Sequence, residues 1–73
     1  MTIAEPEMIR RLQEELNKLG WSNTDIADEL LCTDATVSHW RCGITFPNIR
    51  YLRDLYEIGC DILYIITGEA TRT

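Results

Sequence analysis

In a chain of 73 residues, the side chains best suited to chemistry are one histidine, His39, and three cysteines, Cys32, Cys42 and Cys60. Their spacing builds no reactive set. An odd number of cysteines without a C-x-x-C pair points to free thiols in a reducing compartment. Zinc needs four ligands at short pairwise spacing, and one histidine with three scattered cysteines does not supply them. There is no nucleophile–base–acid grouping and no glycine-rich phosphate loop, and so short a chain leaves little volume for a substrate pocket. The sequence therefore predicts no enzyme, no metal and no cofactor.

Binding is the remaining chemistry, and the charges carry it. Twelve acidic residues outnumber seven basic ones, for a net charge of −5. That sum opposes nucleic acid, whose binders usually carry a basic excess. The distribution runs the other way. Residues 1–31 hold Glu5, Glu7, Glu14, Glu15, Asp25, Asp28 and Glu29 against Arg10, Arg11 and Lys18, whereas residues 35–53 hold Arg41, Arg50 and Arg53 and no acid. A basic sector on an acidic body can still meet phosphate.

The elements that must position these residues read as five short helices in an all-α domain. Ile9, Leu12, Leu16 and Leu19 form one helical stripe that starts near Pro6 and stops at Gly20. Ser22 or Asn23 can cap a second helix with Ile26, Ala27 and Leu30 on one face. Thr33 caps a third, with Val37 and Trp40 inward and Gly43 at its end. After the connector Ile44-Thr45-Phe46-Pro47, Asn48 caps a fourth helix with Ile49, Leu52 and Leu55 together. Gly59 ends it, and Asp61 caps a fifth that carries Ile62, Leu63 and Ile66 up to Gly68, before a polar tail over 69–73 that is expected to fray. A domain of about 60 residues buries only about 60% of its unfolded surface, so a single small unit is expected. No apolar run approaches the roughly 20 residues of a membrane span, and the acidic start has no h-region. A cytoplasmic protein is the expectation, nucleoid-associated or in the host cytoplasm if phage-encoded.

Only about three residues, Leu31-Cys32-Thr33, separate the second and third helices, which is the spacing of a helix-turn-helix. Ser22-Asn23-Thr24-Asp25-Ile26-Ala27-Asp28-Glu29-Leu30, then Thr33-Asp34-Ala35-Thr36-Val37-Ser38-His39-Trp40, resembles the lambda-repressor-like, Cro-type DNA-binding domains. Gly43, Pro47, Leu52–Leu55, Ile58-Gly59-Cys60 and the segment Ile62-Leu63-Tyr64-Ile65-Ile66-Thr67-Gly68 continue the likeness over residues 8–69. The resemblance implies a transcriptional regulator, of phage or prophage kind, that acts by occupying an operator in double-stranded DNA. It puts Thr33, Asp34, Ala35, Thr36, Ser38 and His39 at or near base edges. Asn23 falls where the family often has a phosphate-binding Gln, and Thr45, Asn48 and Arg50 lie in or beside the stretch that approaches the opposite phosphates.

Three positions depart from the family pattern. Leu31 stands where the turn usually has Gly. Either its backbone adopts the left-handed region at a cost of about 1–2 kcal/mol, or the turn is remodelled and Leu31 is buried. The apolar side chains of Ile26, Leu30 and Val37 favour burial. Arg41 and Leu16 replace a family Glu–Arg pair, which leaves Arg41 to face phosphate or an acidic neighbour. Asp34 and Ala35 replace amide donors: the one can accept only from cytosine N4 and the other can meet only a thymine methyl.

One recognition helix makes few base contacts, so a weak homodimer is expected, through Ile62, Tyr64 and Ile65 of the fifth helix together with Phe46. The alternative is an interaction protein on the same scaffold, an antirepressor or inhibitor whose acidic surface meets a protein partner. A third possibility makes this the DNA-binding part of a longer repressor.

Overall fold

A computed structural model describes residues 6–69. They fold into five α-helices without strands: α1 (Pro6–Leu19), α2 (Asn23–Leu30), α3 (Asp34–Cys42), α4 (Ile49–Ile58) and α5 (Ile62–Thr67). Residues 70–73 of the polar tail and residues 1–5 lie outside the described residues.

Local chemistry starts four of these helices. The side chains of Ser22, Thr33, Asn48 and Asp61 each accept from the backbone N–H three residues on, at Asp25, Thr36, Tyr51 and Tyr64. Each bond satisfies one of the donors that a helix N-terminus leaves unpaired. Ser22, rather than Asn23, is the cap of α2. At the end of α3, Gly43 has φ +76°, and a Cβ there would lie 3.2 Å from the Ile9 side chain. Glycine meets two demands at that point, the left-handed backbone and the close approach of α1.

The core gathers Leu12 and Leu16 of α1, Ile26, Ala27 and Leu30 of α2, and Val37 and Trp40 of α3. Leu52 and Leu55 of α4, Cys60, and Ile65 of α5 complete it. Trp40 sits inside, its ring 5.3 Å from that of Tyr51.

Polar side chains of α1 close this core at its edges. Gln13 Nε2 donates to the Arg41 carbonyl at 2.7 Å, and Arg11 Nε donates to the Ile65 carbonyl at 3.0 Å. Both acceptors lie in the final turns of α3 and α5, where helical carbonyls have no partner of their own. The buried Glu15 accepts from the Asp61 N–H at 2.8 Å and from Lys18 Nζ at 3.1 Å. Tyr64 donates its hydroxyl to Glu14 at 2.6 Å.

Three expectations about apolar faces are corrected. Ile49 does not join Leu52 and Leu55; it is 80% exposed at the first position of α4, outside the stripe. In α5, Ile65 is the wholly buried residue, whereas Leu63 and Ile66 stand 50% and 41% exposed. Ile65 therefore leaves the expected dimer surface. Six residues make under two turns, so a small rotation of α5 decides which side chain the core receives. The third correction, Leu31, belongs to the site below.

Candidate nucleic-acid interface

The α2–turn–α3 unit presents one apolar and one polar side. Val37 and Trp40 turn α3 inward, leaving Asp34, Ala35, His39 and Cys42 exposed and Thr36 and Ser38 half-buried. Along the outer face, Ala35, Ser38, His39 and Cys42 follow helical spacing, so one row of small or polar side chains faces solvent. The row lies on a helix held from both ends: by the Thr33 cap and by the Gln13 bond to the Arg41 carbonyl.

At its N-terminal end α3 is tied to α2. Thr24 donates its hydroxyl to Asp34 Oδ2 at 2.8 Å, so the first turns of the two helices meet. α4 packs on α2, and the Cys32 thiol lies in the turn between α2 and α3. Burial pushes that thiol up, Asp34 adds to the rise, and Arg50 opposes it. The N-termini of α2 and α3 gather at one corner, joined by the Thr24–Asp34 bond, each carrying a partial positive charge. Arg50 is exposed in the first turn of α4, 5.3 Å from the Tyr51 ring. Arg53, one turn further on, pairs with Asp54 at 3.2 Å.

Leu31 takes the left-handed conformation, φ 57° and ψ 47°, and is 81% exposed. The burial expected from its neighbours does not occur. Ile26, Leu30 and Val37 already fill the core beneath the turn, and the Cys32 N–H bonds back to the Ala27 carbonyl at 3.0 Å. The turn keeps the geometry that glycine would adopt freely, with the side chain directed outward.

Arg41 also differs from expectation. Its guanidinium donates to Asn23 Oδ1 at 2.5 Å, Asn17 Oδ1 at 3.2 Å and the Trp21 carbonyl at 3.0 Å. It makes no ion pair among the described residues; it is a strut joining α3 to the end of α1 and the start of α2. Neutral amides took over the role of a charged partner, a substitution that type and spacing do not signal. Asn23, whose oxygen serves that strut, keeps only its amide N–H groups for an outside ligand.

Of the remaining candidates, Thr33 and Asn48 are exposed caps, Thr45 is exposed in the connector, and Phe46 is half-buried against the core. The Thr33 and Thr36 hydroxyls lie 2.9 Å apart and share a hydrogen bond. Thr24 and Asn17 were not foreseen; their partners lie 10 and 24 residues away. Behind this unit an open groove of about 410 Å³ is lined by Gly20, Trp21, Asp25, Asp28 and Glu29. Among the described residues no group of three or more His, Cys, Asp or Glu is arranged to hold a metal ion, and no helix is long and apolar enough to cross a membrane.

No protein-family model matches the chain, and neither a curated protein nor a solved structure matches it significantly.

Proposed function

We propose that this protein is a lambda-repressor-like, Cro-type DNA-binding regulator whose α3 enters the major groove and which acts by occupying its operator as a weak dimer. The observation that carries the reading is the corner where the first turns of α2 and α3 meet, with the polar row of α3 running from it and an exposed Arg50 in the first turn of α4. Helix N-termini and an unpaired guanidinium suit backbone phosphates, and the row offers base contacts. Within it Ala35 would meet a thymine methyl, Asp34 a cytosine amino group, and Ser38 and His39 further edges. Thr33, Thr36, Thr45, Asn48 and the Asn23 amide would approach phosphates. Dimerisation would use the exposed Leu63 and Ile66 beside Ile62, Tyr64 and Phe46.

The groove beside Trp21, with its three carboxylates, favours a second reading: an interaction factor whose acidic surface meets a basic partner protein. Selection from random duplexes, followed by titration at several salt concentrations, separates the two. On the DNA reading, Arg50→Ala weakens binding to every sequence and lowers the salt slope by about one unit. Asp34→Asn tightens non-specific binding and relaxes preference at one base pair by about 1–3 kcal/mol. Absence of duplex binding at low salt refutes the DNA reading.

A further inference from the structure

The groove behind the α2–turn–α3 unit, about 410 Å³, brings an aromatic residue and three acidic ones to one place: Gly20, Trp21, Asp25, Asp28 and Glu29 line it. Its volume falls in the range of clefts that enclose a side chain or a small ligand, about 300–1,000 Å³. Asp25, Asp28 and Glu29 stand at i, i+3 and i+4 on α2, on the face opposite the buried Ile26, Ala27 and Leu30. Like charges at that spacing repel one another. Asp28 and Glu29 also lie in the last turn of α2, which holds no basic residue, so they oppose the partial negative charge of that helix end. All three are exposed, and none forms an ion pair among the described residues. Trp21, half-buried, is held in place: its carbonyl accepts from Arg41 Nη2 at 3.0 Å, and Ser22 beside it caps α2. That guanidinium is bonded to neutral oxygens, not to the three carboxylates. A Cβ at Gly20 would meet nothing within 4 Å, so the backbone there is open to an incoming chain.

Charge complementarity selects a cation for this groove, and the tryptophan selects its shape. A guanidinium is planar, stacks on an indole and forks two carboxylate oxygens at once, whereas an ammonium is a compact, strongly hydrated point charge. We propose that the groove is a docking site for an arginine-bearing segment of a partner protein, with a guanidinium received between Trp21 and the carboxylates of Asp25, Asp28 and Glu29. The proposal rests on the second reading above, on which the acidic groove meets a basic partner, and deepens it by naming the side chain that the groove prefers. It does not depend on duplex binding.

Titration of the full chain with blocked Gly-Arg-Gly-Arg-Gly, followed by nitrogen–proton NMR correlation spectra at low salt, tests it. Saturable shifts are expected at the Trp21 indole N–H and at the backbone of Gly20, Asp25, Asp28 and Glu29, and the lysine version of the peptide should bind several-fold more weakly. Asp28→Asn combined with Glu29→Gln should weaken the arginine peptide on the order of ten-fold. The same variant should melt at a higher temperature, because it removes acid from a helix C-terminus. Opposite signs in those two readouts separate a docking role from a folding role. Glu7→Gln combined with Glu57→Gln changes the net charge equally, at exposed positions outside the groove, and should leave the affinity unchanged. Trp21→Leu should remove the preference for arginine over lysine while retaining the charge-driven part of the binding. Absence of saturable shifts at the groove with millimolar peptide overturns both the proposal and the second reading. Equal binding of the two peptides overturns the proposal and leaves the second reading standing. A control variant that weakens binding as much as the groove variant reduces the effect to general charge attraction, and tighter binding of spermine than of the arginine peptide assigns the groove to a polyamine; either result overturns the proposal.

Discussion

The two ends of this small fold handle their polar groups in opposite ways. Where α1 meets α3 and α5, nearly every polar side chain that points inward finds a partner: Arg11 and Gln13 take carbonyls in final helical turns, Glu15 takes the Asp61 N–H, and Glu14 takes the Tyr64 hydroxyl. At the α2–α3 turn Leu31 is strained and exposed, and at the start of α4 Ile49 is exposed and Arg50 has, among the described residues, only the face of a tyrosine. The first region is closed by these bonds. The second is under-satisfied inside the monomer, and strain or exposure retained in a folded domain points to a site whose reward lies outside it. The charge census alone would have assigned Arg41 and Arg50 to the same role; their hydrogen bonds put Arg41 with the closed region and Arg50 with the open one.

The largest expected effect tests that division. Arg41→Met removes the donor shared by Asn17, Asn23 and the Trp21 carbonyl. Leaving the part-buried Asn23 and Trp21 acceptors unpaired costs about 1–3 kcal/mol. In a domain of this size each kcal/mol lowers the melting temperature by about 4–8 °C, readable by circular dichroism. Any loss of DNA affinity should track that instability, with the salt slope unchanged when binding is measured well below the melting point. A stable Arg41→Met variant with a reduced slope would move Arg41 back to the phosphates.

A smaller effect of opposite sign is expected at the turn. Leu31→Gly removes a Cβ from the left-handed region and loses almost no packing, so the monomer should gain about 1 kcal/mol. The greater freedom of glycine in the unfolded chain offsets part of this gain. Urea unfolding at low protein concentration measures it; destabilisation by several kcal/mol would mean that Leu31 is packed after all.

The smallest effect sharpens the closed side. Donation to Glu14 holds the Tyr64 hydroxyl above its usual range, with burial and the Glu14 charge adding to the rise. The unfolded chain then loses that proton first as pH climbs, so the contribution is fully present below about pH 10. It is lost as pH rises through the folded value. Stability of the parent should fall more steeply above about pH 10 than that of Tyr64→Phe. Parallel curves would show that the bond contributes nothing.

Much of this architecture was legible along the chain because the interactions that set it are local. A cap bonds three residues onward, so Thr33, Asn48 and Asp61 could be read without knowing any neighbour in space, and the cap of α2 narrowed to Ser22 or Asn23. The stripes of α1, α2 and α3 were equally clear, since eight or more residues define a face. Periodicity failed at α5 and at the first turn of α4, where too few residues define a face and the neighbouring helices choose which side chain enters. It had no means of assigning Arg41, whose three acceptors come from residues 17, 21 and 23 and are as neutral as many others nearby. Helices, their ends and most of the core were thus determined by the sequence itself, through bonds and spacings confined to a few residues. Tertiary structure alone decided that Ile65 is inside, that Leu31 and Ile49 are outside, and that Arg41 is held while Arg50 makes no ion pair among the described residues. Those outcomes depend on how much room the packed helices leave and on which distant polar atoms they bring within reach.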